Sequence, residues 1–527
     1  MKKIIIVFLL LLVFMPLFAE KYEIVEYSFK VEGKTKASSL SEAVGKTGSV
    51  FETEDELRAY LDGKRQALMN RRLFLSVSYT YAFGKVLEDG NVGVSVIFEI
   101  EDADSFFWLP YPKYDSNYGF KFGVKVWDKN FLGFLSNLYA YVGFEQRDKT
   151  FKKGLLDYEF TVDSIEIGNV KASLSTSAGI DLNSWTGSYF NFRAGVSEIK
   201  IKDLSAAFSA WVTLKPAEVE RDSRWNVHEI GSSASFELNT FSFGTSVGYF
   251  PNYKQLWTSS SMKQGIGWGF YDKIKFSTNQ FNSDDDTHPG IDTSTLGFAL
   301  GKNFTIARKL DFNVELWAYE DQNYETMTLT PYFKQTISTE RSTINWEENF
   351  RRGFAYGLSL SFTEYPHTET VPHVVFSGDF RAHYPVTSWF NPSIRLGFFM
   401  SNLDTTGVDT DYLRGILIEN AWASEWRKKV LIINIDLMMQ FITLEDFCHT
   451  YAIPFMDIAV VSNELKDDFD YQFTVGGEGI IILDEHPGYP IRGSLGINLN
   501  DFIQYAKGEL DFWDIEYEIF IGFDFLY

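Results

Sequence analysis

Residues 515–527 read IEYEIFIGFDFLY, and this final stretch decides the fold. Successive side chains of a β-strand point to opposite faces, so alternate residues share a face. The apolar face of this segment carries Ile515, Tyr517, Ile519, Ile521, Phe523, Phe525 and Tyr527. The intervening positions include Glu516, Glu518, Gly522 and Asp524. A strand with one face for lipid and one for a polar interior is typical of a transmembrane β-barrel.

The same parity recurs in the segments before it. The polar faces carry Asn434, Asp436 and Gln440 within residues 431–441, and Arg492, Ser494 and Asn498 within residues 491–499. A soluble β-sandwich also alternates, but it hides its apolar faces between two sheets and protects its edges. Because polar residues recur on a single face of each segment over such a long region, the pattern predicts a mainly β, antiparallel membrane barrel. We predict 16 strands, with 18–20 as the alternative; about twenty candidate runs occur, and the surplus is read as protruding hairpins.

The start of the chain is typical of an exported protein. Lys2 and Lys3 precede an apolar run from Ile4 to Phe14, and Ala19 is a suitable cleavage point. We therefore expect residues 1–19 to be a signal peptide, since the run is too short to span a bilayer as a helix. The aromatic share of 17% suits interfacial girdles, and the net charge of -23 argues against nucleic-acid binding.

Residues 20–104 have a different pattern from the rest. An alternating segment is followed by two helical stretches and two further alternating segments, which gives the order β-α-α-β-β. The second helix opens with Thr53 and Glu56, which have the spacing of a capping box. We therefore predict one small α+β domain over residues 20–104 and the barrel over residues 105–527.

These residues resemble a known family. The N-terminal domain resembles a POTRA domain in residues 31–35, 48–51 and 70–77. The barrel is similar to that of the BamA/TamA outer-membrane assembly family, also called the bacterial surface antigen family. Residues 114–119 and 128–133 are like the first strand and turn of those barrels, whereas residues 148–401 match only in general pattern.

The most specific part of the resemblance is Arg414-Gly415 within residues 412–416. In this family an Arg-Gly motif on a long loop folds into the barrel and is held by acidic residues of the next strands. The resemblance implies a loop anchor made of Arg414, Gly415, Asp436, Asp457 and Glu478. The alternative is that these charges are simply solvated in a polar lumen. Arg352-Gly353 is a rival motif, but too many candidate strands follow it.

The resemblance also implies a function. The first strand, with Gly119, Lys121 and Gly123, would meet the last strand, with Gly522 and Tyr527, at a seam that opens sideways. The protein would then insert or translocate polypeptides at the outer membrane of a Gram-negative-type envelope, with its N-terminal domain in the periplasm. Its partners would be outer-membrane lipids, unfolded outer-membrane or secreted client polypeptides, and periplasmic chaperones or accessory lipoproteins. Two alternatives stay open: a dedicated two-partner-type secretion transporter and a passive porin.

An enzyme is not predicted. The seven histidines are scattered, and neither a cofactor motif nor a catalytic metal motif such as HExxH occurs. Residues 284–286 are three consecutive aspartates, for which a solvated acidic loop is the simpler interpretation than a calcium site. With a single cysteine, Cys448, the chain has no disulfide framework.

Overall fold

The structure is a computed structural model, and it describes most of the chain. The described residues are 21–115, 119–146, 154–167, 170–216, 225–251, 255–281, 293–306, 310–323, 328–366, 371–405, 413–417, 427–462 and 469–522. The predicted signal peptide, the aspartates at 284–286 and the terminal Tyr527 lie outside these residues. Within them, no helix combines the length and the apolar character needed to cross a membrane.

The first of two compact units is formed by the described residues up to Phe106, together with Lys129–Ser136 and Glu485–Gly488. Its elements are β1 (Tyr22–Glu32), α1 (Ala37–Val44), β2 (Val50–Phe51), α2 (Glu54–Met69), β3 (Phe74–Val86) and β4 (Val92–Asp102). The sheet has the order β2-β1-β4-β3, with β1 parallel to β4.

A compact apolar core holds this unit together. Leu40, Leu57, Leu61 and Phe98 are each fully buried, because the two helices place their apolar positions against one face of the sheet. The second helix begins where the sequence predicts, since the Thr53 hydroxyl accepts a hydrogen bond from the Glu56 N–H at 3.2 Å.

The second unit contains the barrel strands. They are β5 (Phe106–Asp115), β6 (Gly119–Asp128), β7 (Leu138–Gln146), β8 (Gly154–Ile167), β9 (Val170–Asp181), β10 (Tyr189–Ile201), β11 (Leu204–Pro216), β12 (Trp225–Leu238), β13 (Phe241–Phe250), β14 (Gln255–Gly267), β15 (Phe270–Phe281), β16 (Thr293–Ile306), β17 (Leu310–Asn323), β18 (Thr328–Ser342), β19 (Asn345–Glu347), β20 (Phe350–Glu364), β21 (His373–His383), β22 (Phe390–Thr405), β23 (Arg427–Leu444), β24 (Cys448–Ser462), β25 (Asp470–Leu483), β26 (Ile491–Asn498) and β27 (Tyr517–Gly522). Helix α3 (Leu499–Lys507) lies between the last two strands.

These strands form a closed antiparallel barrel in which sequence neighbours pair. Of the 23 strands from β5 to β27, β19 has three residues and pairs with β20, while β18 pairs directly with β20. The wall described here therefore has 23 − 1 = 22 strands. Closure satisfies the backbone of the whole wall without a free edge, which is what a sheet in lipid requires.

The predicted fold class is wrong in its strand number, because 22 strands replace the expected 16 and also exceed the alternative of 18–20. The surplus apolar runs are not protruding hairpins. They pair in continuous register, as in β16 and β17, where all 14 positions of each strand have a partner. The first unit contains the predicted helices and strands. No family model identifies them as a POTRA domain, so the POTRA part of the predicted fold class is not supported.

Inward-facing glycines shape one part of the wall. Trp211, Gly231, Gly248 and Trp257 are successive partners across β11, β12, β13 and β14. Since the two glycines lack side chains, both indoles lie over them, and a Cβ at Gly231 would come within 2.3 Å of the Trp211 ring. Both indole N–H groups donate to the same oxygen of Glu229, at 3.1 and 3.3 Å. The aromatic rings thus lie along the wall.

Candidate functional site

The segment of residues 413–417 is held between β22 and β24 by its two apolar side chains. Leu413 and Ile416 are 2% and 1% exposed. They pack on inward-facing residues of the neighbouring strands, namely Phe399, Val430, Ile432, Ala459 and Val461. Burying two aliphatic side chains stabilises this position by about 3–6 kcal/mol in total, at about 1.5–3 kcal/mol each. The apolar contacts fix the segment against the barrel wall.

Arg414 lies between these two apolar anchors and faces two carboxylates. Its Nε and Nη2 donate to the two oxygens of Asp457 at 2.9 and 2.7 Å, and its backbone N–H donates to the same carboxylate at 3.0 Å. Nη2 also donates to Asp436 at 2.6 Å. Two parallel hydrogen bonds to one carboxylate match the planar guanidinium of arginine, and the ammonium group of lysine cannot form this bidentate pair. Asp457 is fully buried, so the contact is shielded from water.

A second arginine extends the cluster. Arg492 on β26 donates to Glu478 on β25 at 3.1 Å, and Glu478 also lies 3.8 Å from Nη1 of Arg414. Each guanidinium covers an aromatic ring: Arg414 lies 3.8 Å from the centre of Phe455, and Arg492 lies 4.1 Å from that of Phe520. Two guanidinium groups therefore meet three carboxylates from three adjacent strands, and each carboxylate has a guanidinium nitrogen within 3.1 Å. Such pairing offsets the cost of burying the charges.

The backbone beside Arg414 is held by the last strand. Gly415 donates its N–H to Glu518 at 2.8 Å, and Leu417 donates its N–H to Glu516 at 2.9 Å. Gly415 has φ +96°, and a Cβ there would lie 2.6 Å from the backbone nitrogen of Ile497. Only glycine combines this left-handed conformation with such a close approach. The segment thus touches every strand from β23 to β27 through a side chain or its backbone.

The structure brings together the five residues of the predicted loop anchor: Arg414, Gly415, Asp436, Asp457 and Glu478. Five described strands, β23 to β27, follow Arg414. The sequence analysis did not predict the contacts of Arg492, Glu516 and Glu518, although the alternating pattern placed all three on the inner face. The rival Arg352 lies at the start of β20 and pairs with Glu347 at 3.1 Å.

The predicted seam residues need a correction. Gly119, Lys121 and Gly123 lie on β6, which is the second strand of the barrel and pairs with β7. Lys121 pairs with Asp157 at 3.0 Å, and Gly123 lies beneath the ring of Tyr141. The first strand is β5, which the sequence reasoning passed over because Pro110 and Pro112 interrupt its pattern.

The barrel closes between its first and last strands. β27 pairs with β5 through two described residue pairs, Phe520 with Asp115 and Ile521 with Tyr114. On its other side, β27 pairs with β26 through six residue pairs, including Gly522 with Arg492. Gly522 ends the described part of β27. The strands that meet at the closure are therefore β5 and β27.

No family model matches the chain, and no curated protein matches it either. Among solved structures it is similar to BamA from Haemophilus ducreyi lacking POTRA domains 1–3, at 12% identity over 95% of this chain and 84% of that one, with a TM-score of 0.32. It is similar to CdiB from Acinetobacter baumannii at 9% identity, 95% and 73% coverage and a TM-score of 0.36. It is also similar to the FrpB iron transporter of Neisseria meningitidis, at 10% identity over 86% of this chain and 87% of that one, with a TM-score of 0.46.

These likenesses are too weak to assign a family, and the class of protein follows from the chain itself. The wall is closed, and its outward positions are large and apolar, for example Phe298, Leu316 and Phe376 at 52%, 49% and 40% exposure. A closed barrel with an apolar exterior is the only sheet architecture that spans a bilayer. The protein is a β-barrel of the outer membrane.

Proposed function

We propose that this outer-membrane barrel inserts or translocates other polypeptides and that the Arg414 cluster braces the strands beside its opening. The observation that carries the proposal is the position of residues 413–417, whose charges and backbone engage β23 to β27, up to the strand that closes the barrel. Such a brace stiffens one side of the closure and leaves β5 on the other side free to separate.

The chemistry of β5 supports this proposal. Pro110 and Pro112 are two residues apart, so both lack a backbone donor on the same side of the strand. Neither proline can donate a backbone hydrogen bond to a neighbouring strand, so β5 is held by fewer hydrogen bonds than a strand without proline. An unpaired strand edge in lipid is costly, and a client strand relieves that cost by pairing with it. The N-terminal α+β domain would lie in the periplasm and receive clients there.

A reversible covalent lock tests the opening. Tyr114 and Ile521 are cross-strand partners with 41% and 50% exposed side chains, so Tyr114→Cys/Ile521→Cys in a Cys448→Ser background places a disulfide across the closure. The matched control, Leu495→Cys/Ile519→Cys, joins β26 to β27 instead. We expect the lock across β5 and β27 to reduce the outer-membrane level of client proteins, and a reductant to restore it. If the locked protein supports normal client levels, lateral opening is wrong.

The range of clients is read from the outer-membrane proteome after depletion of the protein. A broad loss of barrel proteins indicates general assembly, whereas loss of one secreted product indicates a dedicated secretion transporter. Unchanged levels of all clients after depletion contradict both.

A passive porin is the second candidate, and one observation favours it. A cavity of about 910 Å³ lies along the inner wall, and its polar lining residues include Tyr271, Lys273, Asn313, Glu315 and Arg395. Conductance in planar bilayers separates the two functions. Large and stable channels favour the porin, and small flickering channels favour the transport of polypeptides.

A further inference from the structure

Helix α3 and the turn after it expose an aromatic surface. None of the nine residues of α3 is buried. The exposed fraction is 41% for Phe502, 45% for Ile503 and 89% for Trp513. Contact of this much apolar surface with water is unfavourable. The surface therefore favours a partner that is itself apolar.

Four apolar residues of α3 share one face. Leu499, Phe502, Ile503 and Ala506 have the spacing i, i+3, i+4, i+7, which places them along one side of the helix. Aromatic contacts continue this side beyond the helix: ring centres lie 6.2 Å apart for Phe502 and Tyr505, 5.7 Å for Tyr505 and Phe512, and 5.3 Å for Phe512 and Trp513. The helix and turn thus present one connected aromatic surface.

Hydrogen bonds fix the height of α3 on the barrel. The Asn500 side-chain amide donates to the carbonyl of Tyr471 at 2.8 Å, and its oxygen accepts from the N–H of Phe473 at 3.0 Å. The Asn500 side chain thereby satisfies backbone groups of β25 beyond the end of β26, where the neighbouring strand no longer does so. Beside it, Tyr471 and Tyr517 point outward with exposed fractions of 49% and 52%. Outward tyrosines at a strand end are typical of the membrane–water interface.

We propose that α3 and residues 508–514 lie in the interface of the lipid bilayer and bind it as an extension of the lipid-facing wall of β25 to β27. The occupant is lipid because the aromatic surface is continuous with positions that face lipid on those strands. Short amphipathic helices bind in this way, with the apolar side in the acyl boundary and the polar side in water.

The charge of the segment determines which part of the lipid it contacts. Residues 499–514 contain Lys507 against Asp501, Glu509, Asp511 and Asp514, which gives 1 − 4 = -3. A negative segment gains nothing from anionic headgroups. The contact therefore depends on burial of aromatic rings, and it should persist at high salt.

Single fluorescent labels test this contact in the full-length protein in phosphatidylcholine nanodiscs. Cys448 is the only cysteine, so Cys448→Ser provides a background into which Ile503→Cys or Trp513→Cys is introduced and labelled with the environment-sensitive dye NBD. Gln504→Cys is the matched control, because Gln504 is exposed on the opposite side of the same helix. Lipids carrying a doxyl quencher near the headgroup then report depth.

We expect the dye at positions 503 and 513 to emit at shorter wavelength than at position 504 and to lose fluorescence when doxyl lipid is added, at low and at high salt. Equal, water-like emission at all three positions would overturn the inference. Emission that shifts only on addition of a polypeptide or of a second population of the protein would also overturn it, since the occupant would then be a protein.

Discussion

The inner surface of the barrel has two contrasting parts. Along β23 to β27, which we term the filled wall, the inner residues are covered by residues 413–417 and their charges are paired. Along β8 to β18, the open wall, aromatic rings lie over glycines, as with Tyr271 over Gly301, and part of the inner surface lines a cavity of about 910 Å³. Both walls alternate in the same way in sequence. The two walls differ because residues 413–417 pack against the filled wall.

The contrast shows two ways to satisfy a carboxylate on the inner face. On the open wall, Glu315 accepts hydrogen bonds from the Tyr271 hydroxyl at 2.6 Å and the Trp317 indole at 2.8 Å while remaining in contact with the lumen. On the filled wall, Asp457 depends on Arg414, which comes from a separate segment of the chain. Glu315 keeps a donor from the barrel wall when one of these two partners is lost. Asp457 loses its ion partner when Arg414 is removed, and a buried charge without a partner is costly.

The largest expected effect comes from Arg414→Ala. Removing the guanidinium leaves the fully buried Asp457 without its ion partner, which costs about 3–5 kcal/mol for a buried pair broken on one side. The free energy of unfolding, measured by denaturant titration in lipid, checks this. Arg193→Ala is the control on the open wall, where the arginine is exposed and donates to Ser209 at 3.4 Å. Equal losses for both variants would remove the distinction between the walls.

Gly415→Ala should follow in size. Its φ of +96° costs about 1–2 kcal/mol for an L-residue, and the added Cβ also meets the backbone of β26 at 2.6 Å. We expect residues 413–417 to become sensitive to added protease in intact barrels. Gly477→Ala on β25 is the control, since a Cβ there meets nothing within 4 Å. A protected segment in the Gly415 variant would show that the close approach is not needed.

On the open wall, Gly231→Ala should have a smaller effect. The new methyl group collides with the Trp211 ring, and such overpacking costs about 1–3 kcal/mol. Gly244→Ala has the same chemistry on the next strand but meets its nearest atom at 3.6 Å. Thermal unfolding followed by circular dichroism should place only the Gly231 variant below the parent. A Gly231 variant as stable as the Gly244 variant would mean that the ring moves freely.

The smallest effect is expected for Tyr271→Phe. It removes one hydroxyl that donates to Glu315 and accepts from Asn313, worth about 0.5–1.5 kcal/mol. Tyr319→Phe is the comparison, because within the described residues its hydroxyl makes no hydrogen bond. The Tyr271 variant loses both hydrogen bonds and the Tyr319 variant loses none, so equal unfolding free energies would show that Glu315 is satisfied without Tyr271.

Much of the candidate site was predictable from the sequence. Alternation places Asp436, Glu478 and Arg492 on the inner face, because a strand has a period of two whatever it packs against. Asp457 follows by the same parity one strand later. The pairing of Arg414 with Asp457 followed from the family resemblance, since residues 43 positions apart carry no local signal of contact.

Other features were not predictable. The seam was placed one strand late because the two prolines of β5 disguise a strand that only its partner β27 reveals. The predicted strand number was wrong for a similar reason. A run of alternating residues is the same in sequence whether it pairs within the wall or forms a separate hairpin, and the registers distinguish the two.

The sequence by itself determined the alternation, the two faces of each strand and the residues available to a polar interior, because these depend on local geometry alone. The tertiary structure decided the 22-strand closure, the depth at which residues 413–417 bind, and which inner carboxylates are covered. Those properties depend on which distant strands become neighbours. They are set by pairing and burial over the whole barrel, and no short stretch of the chain contains them.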